Sequence, residues 1–187
     1  FCSGYDLSEG QPPDTWAWRG VLAEDVASTM AIWRCPKPVI AQVHGYAIAG
    51  ATELAQACDL VYVAEDARIG YPIVRVASPP DWQYHEPLLG LRRAMEIMLT
   101  GGAMNGPEAV AAGWANRSFP AAVLDDEVLD VAAVVAGVAS DLAQINKRMV
   151  LRQAEIMGVR AAIRAGSEFQ ALAGHQASVE AFKADPL

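Results

Sequence analysis

The chain of 187 residues is 53% hydrophobic and 19% charged, enough apolar material for one substantial core of ordinary domain size. A net charge of −8 counts against nucleic acid or an anionic membrane as partner, since the only clustered cations, Arg92-Arg93 and Lys147-Arg148-Arg152, have the form of solvated helix faces. Cys2, Cys35 and Cys58 cannot all pair and show no CxxC or Cys/His spacing, and no apolar run reaches the roughly 18 residues of a membrane span, so a soluble, cytoplasmic protein without a metal set is expected.

In chain order, the opening Phe1-Cys2-Ser3-Gly4-Tyr5-Asp6-Leu7 passes straight from apolar residues into a turn and has no Met at its head. It reads as cut from a longer protein, with upstream structure lost. Residues 8–20, rich in Gly, Pro, Asp and Trp, predict a loop, and a helix follows over about 22–33 until Pro36-Lys37-Pro38 stops it. Residues 39–44 and 60–64 are short β-branched runs that predict buried strands, with a helix over 53–58 between them, the pattern of a βαβ crossover. Residues 68–72 read as a turn and 73–76 as a third short strand. Ser78-Pro79-Pro80-Asp81 must be a loop, because consecutive prolines neither donate to a ladder nor continue a helix. Beyond Leu88 the spacing is helical over 91–100, 106–113, 121–139, 141–157 and 160–182.

The segment carrying most chemical information is Val43-His44-Gly45-Tyr46-Ala47-Ile48-Ala49-Gly50-Ala51-Thr52-Glu53-Leu54, which joins a strand to a helix through small residues that let another group approach the backbone. A helix N-terminus there offers free N–H groups to negative charge. No GxxxxGK[ST], GxGxxG or GxSxG pattern directs that charge toward a nucleotide or a serine nucleophile.

Lys37-Pro38-Val39-Ile40-Ala41, Gly45-Tyr46-Ala47, Gly50, Glu53-Leu54-Ala55 and Cys58-Asp59 together resemble the signature of the crotonase (enoyl-CoA hydratase/isomerase) superfamily. Phe1 to Leu7 is similar to that family's upstream FCAGxDL element. The likeness continues through Ala67-Arg68-Ile69-Gly70, Met98-Leu99-Thr100-Gly101 and Ala109-Val110-Ala111-Ala112-Gly113-Trp114-Ala115-Asn116, and so covers nearly the whole chain. The resemblance implies an α/β fold, a spiral of ββα turns over 1–115 followed by a helical trimerisation region over 116–187, assembled as a trimer or dimer of trimers. It also implies action on coenzyme A thioesters, with coenzyme A present only as part of the substrate and no separate cofactor. The family's two oxyanion-hole N–H groups fall on Tyr5 and Gly50, its first catalytic carboxylate on Glu53, and coenzyme A contacts near Ser3, Asp6 and Leu7. A plain reading of Glu53 remains beside this one: an acid in a first helical turn also complements the helix dipole.

One departure matters. The position after Gly70-Tyr71-Pro72, where two-carboxylate hydratases carry a second Glu, holds Ile73, which cannot exchange protons. Asp81, further along the same loop, is the candidate substitute, since a dehalogenase-like branch of the family uses a loop Asp as nucleophile; it reads equally as a solvated turn residue. Trp82 is a candidate wall of the acyl pocket. The expected activity is that of an enoyl-CoA hydratase/isomerase, with another crotonase-type reaction (isomerisation, decarboxylation or thioester hydrolysis) or a catalytically weak acyl-CoA-binding protein as alternatives.

Overall fold

The computed structural model describes residues 1–6, 12, 14–82 and 85–184, with the side chains of 85, 86 and 183 also outside the description. Helix α1, Thr15–Arg34, begins inside the stretch expected to be a loop because Asp14 caps it, its Oδ1 accepting from the Ala17 N–H at 2.9 Å. Strand β1, Ile40–Val43, helix α2, Gly50–Ala57, and strand β3, Leu60–Ala64, form the expected crossover, with β1 and β3 parallel in the register Ile40 to Leu60. Between β1 and α2 the chain inserts a further strand, β2, Tyr46–Ile48.

Residues 68–72 are not simply a turn: Arg68–Gly70 is strand β4, parallel to β2 and antiparallel to β5, Ala103–Met104. Nor are residues 73–76 a strand. Pro72–Arg75 is a turn of 3-10 helix, as Pro72 fixes φ at a helical value and supplies no N–H to a ladder. Among the described residues two three-stranded sheets result, ordered β1-β3-β6, with β6 at Arg117–Phe119, and β2-β4-β5.

Strand β6, Arg117–Phe119, is parallel to β3, and Leu124 and Val128 of α5, Leu124–Ala136, are buried in the same core as Val43, Val63 and Ile69. The sheet core therefore runs past the boundary expected at residue 115. Helices α3, His85–Thr100, kinked at Gly90, and α4, Gly106–Ala111, precede β6. Helices α6, Ser140–Ile156, α7, Val159–Ala173, and α8, Ala177–Ala184, follow α5, so the single helix expected over 160–182 is two.

A second apolar cluster, Met30, Trp33, Ala57, Trp82, Ala154, Val159 and Ile163, ties α1 and α2 to α6 and α7. Lys147 departs from its expected solvated face: its side chain is only 7% exposed, because its Nζ is drawn 2.6 Å from Asp59 Oδ2. Helices α5 and α6 leave Leu129, Val134, Ile145, Met149, Val150 and Ile156 largely exposed. Among the described residues no single helix is long and apolar enough to cross a membrane.

Candidate active site

The opening segment lies against β2. The Cys2 N–H donates to the Tyr46 carbonyl at 2.8 Å and the Ile48 N–H to the Cys2 carbonyl at 3.2 Å, which carries Gly4 and Tyr5 to the start of α2. Gly4 has φ +100, and a Cβ there would stand 3.1 Å from the Ile48 carbonyl oxygen, so both its conformation and its neighbour call for glycine. Opposite it, Ala49 adopts φ 54 and ψ −126, a costly conformation for a residue with a Cβ, before α2 opens at Gly50. The Ala49 N–H is taken by the Gly70 carbonyl at 3.0 Å, whereas the N–H groups of Tyr5 and Gly50 have no acceptor among the described residues.

Glu53 lies in the first turn of α2 and is 1% exposed. Its Oε1 accepts from the Tyr71 hydroxyl at 2.8 Å and its Oε2 from the Trp82 N–H at 2.9 Å. Asp81, also 1% exposed, has both carboxylate oxygens buried without a donor among the described residues. Burial first, then the neighbouring Asp81 carboxyl and its charge, push Glu53 well above the usual carboxylate range, and the Trp82 and Tyr71 donors offset only part of this. Burial beside a second carboxyl and without a cation favours the protonated form of Glu53.

Two phenols complete the enclosure. Tyr71 occupies the position just before the Pro72 turn, and burial with the Glu53 charge raises its hydroxyl well above the ordinary value. The Tyr5 ring lies across Gly50, where an added Cβ would come 2.5 Å from its Cε2, and burial together with Asp81, Glu53 and Asp25 raises that phenol too. The residue is 48% exposed, so part of it still meets solvent. Asp25, half-buried on α1, is pushed up to about 6 by burial, Asp81 and Glu24.

The structure thus brings Tyr5, Gly50, Glu53 and Asp81 together. The burial of Asp81 excludes the solvated-turn reading. Trp82 is wholly buried; its indole donates to Met30 Sδ at 3.3 Å and its ring meets Trp33 edge-on at 5.6 Å, so it anchors the loop instead of facing an open pocket. Ser3 and Asp6 are exposed at the rim, and Leu7 lies outside the described residues. Ile73 packs against the main core. Tyr71, the Tyr5 side chain and Asp25 were missed by sequence reasoning; only Tyr71, inside the Gly-x-Pro turn, had a motif that could have flagged it.

The family model described as enoyl-CoA hydratase/isomerase matches residues 1–184. The chain belongs to the enoyl-CoA hydratase/isomerase family. Relatives within it include a "Probable enoyl-CoA hydratase" of Rhizobium meliloti (strain 1021), 31% identical over 83% of this chain and 61% of its own length. A peroxisomal Delta(3,5)-Delta(2,4)-dienoyl-CoA isomerase of Arabidopsis thaliana is 32% identical over 83% of this chain and 62% of its own. The crystal structure of an enoyl-CoA hydratase from Mycobacterium smegmatis superposes with a TM-score of 0.92 at 28% identity, covering 98% of this chain and 68% of that one. This member of the enoyl-CoA hydratase/isomerase family therefore spans about three fifths of the length of those two curated relatives.

Proposed function

We propose that the protein is a coenzyme A thioester enzyme of the hydratase/isomerase type, with the thioester carbonyl held between the N–H groups of Tyr5 and Gly50. The observation that carries this reading is the buried Glu53 carboxyl one helical turn beyond the acceptor-less Gly50 amide, at a helix N-terminus. Two fixed donors in a dry site favour the enolate oxygen over the neutral carbonyl, each worth about 3 kcal/mol in reactions of this kind. Coenzyme A enters across the exposed rim of Ser3 and Asp6.

The acid–base work falls to Glu53 and Asp81 as a pair, and Ile73 takes no part. One proton shared by two carboxyls leaves one group able to donate and one able to accept. In hydration, the ionised member takes a proton from water as its oxygen bonds to the β-carbon, and the protonated member delivers a proton to the α-carbon of the enolate. In double-bond isomerisation the same two groups remove a proton from one carbon and return one to another. The exposed apolar residues of α5 and α6 support a trimer or dimer of trimers.

The test is a panel of short and medium enoyl-CoA esters assayed for hydration and double-bond movement. Turnover is expected, with Glu53→Gln lowering it by about 10³-fold and Asp81→Asn by at least about 10²-fold. No conversion of any ester, or conversion indifferent to Glu53→Gln, overturns the reading.

A further inference from the structure

The loop that carries an apolar side chain at Ile73 supplies a polar group two residues earlier. Gly70 ends β4 under close constraint, since a Cβ there would stand 2.6 Å from the Gly102 carbonyl oxygen. Tyr71 follows with φ −126 and ψ 60, the residue that leads into the Pro72–Arg75 turn. That turn carries Ile73 onto the main core, while the Tyr71 side chain, 2% exposed, brings its hydroxyl 2.8 Å from Glu53 Oε1.

A buried tyrosine hydroxyl needs an acceptor, and Glu53 would serve a purely structural tyrosine as well. What separates the two roles is the difference in kind between the donors to Glu53. The Trp82 N–H, 2.9 Å from Oε2, can only donate, and the backbone fixes its position. The Tyr71 hydroxyl donates to Oε1 when Glu53 is ionised, and can accept from Oε1 when Glu53 carries a proton there. Oε1 therefore has a partner in both protonation states, and Oε2 keeps the same one throughout. The other ionisable groups near Glu53 are Asp81 on the following loop and Tyr5 on the opening segment, with Asp25 of α1 in electrostatic reach of both; none of these is a cation. The phenol is thus the one side-chain donor that favours ionised Glu53 against burial and the Asp81 charge.

We propose that Tyr71 is a positioning residue whose hydroxyl holds Glu53 in one orientation while that carboxyl gains and loses a proton. The inference rests on the thioester reading above and adds a residue that acts through Glu53 without touching the ester. Tyr71→Phe in the full chain tests it, because the ring and its packing stay and only the hydroxyl goes. Tyr62→Phe, at another buried tyrosine of the same core, is the control. Each variant is read in two ways: kcat and KM for an enoyl-CoA ester against pH, and carbon NMR of the Glu53 carboxyl against pH in the ester-free protein, its signal assigned by its loss in Glu53→Gln. Tyr71→Phe is expected to lower kcat at least about tenfold with KM within about twofold. The Glu53 resonance should change and its titration move to higher pH, together with the limb of the rate profile that follows it, because the lost donor favours ionisation. Tyr62→Phe should leave both readouts unmoved.

A Glu53 resonance unchanged at every pH, or changed equally by Tyr62→Phe, overturns the proposal. So does a KM that rises while kcat holds, which places the phenol against the ester. A wild type that turns over no ester, with the Glu53 resonance still moved by Tyr71→Phe, sinks the reaction proposed above and leaves the positioning assignment standing.

Discussion

Two acidic sites, one half-buried and one fully buried, lie at opposite ends of α2, and they are built on opposite principles. At the C-terminal end Asp59 accepts from Lys147 Nζ at 2.6 Å and from the Val39 N–H at 2.7 Å on the same oxygen, so its charge is matched by a cation and a backbone donor. At the N-terminal end Glu53 and Asp81 are more deeply buried and have no cation, only a phenol and one amide, both directed at Glu53. The first arrangement holds β1, α2 and α6 together. The second keeps a proton in play in a dry cavity, at the expense of stability, which is the signature of a group retained for chemistry.

The largest expected contrast is kinetic. Glu53→Gln should remove about 10³-fold of rate while leaving the melting temperature unchanged or higher, since it replaces a raised, crowded carboxyl by a neutral amide. A lower melting temperature would make Glu53 a structural acid like Asp59. Next comes Lys147→Met, which strands the Asp59 carboxylate with one amide donor; chemical denaturation should show a loss of about 3 kcal/mol with the chemistry of any bound ester unaffected. Asp81→Asn supplies an N–H to the Glu53 carboxyl and should gain about 1 kcal/mol of stability while lowering turnover.

The smallest effect is a pH dependence. Asp25 is raised from 3.8 to about 6, so the folded state holds its proton more tightly than the unfolded one. Its contribution is complete below about pH 4 and lost as pH rises through about 6, and Glu53, also raised, acts with the same sign. Asp25→Asn should flatten the fall in stability between pH 4 and 6, read from melting temperatures against pH. An unchanged slope would remove Asp25 from the cluster.

The crossover was legible because β1 and β3 are short, β-branched runs between turn signals, the second buried over four of its five residues, and the two-motif frame pointed to Tyr5, Gly50 and Glu53 before any coordinates. Strands β2, β4, β5 and β6 were not, since two or three residues are too few to display an alternation. The environment of Asp81 was hidden for a different reason. Pro79-Pro80-Asp81 has the composition of a solvated turn, and only the packing of Trp82 between Met30 and Trp33 draws it inside. Lys147 was misread by the same logic, its partner Asp59 lying 88 residues away in sequence. Local composition reports the chain's own preferences; both acids owe their character to helices distant from them in sequence.

The Trp82 amide, hydrogen-bonded to Glu53 and buried beneath α1, α2 and α7, can meet solvent only when the loop lifts. Its deuterium uptake is therefore a clock for that opening. Compared with the uptake of Val63 in the sheet core, it measures how often the carboxyl pair is wetted without the rest of the fold giving way.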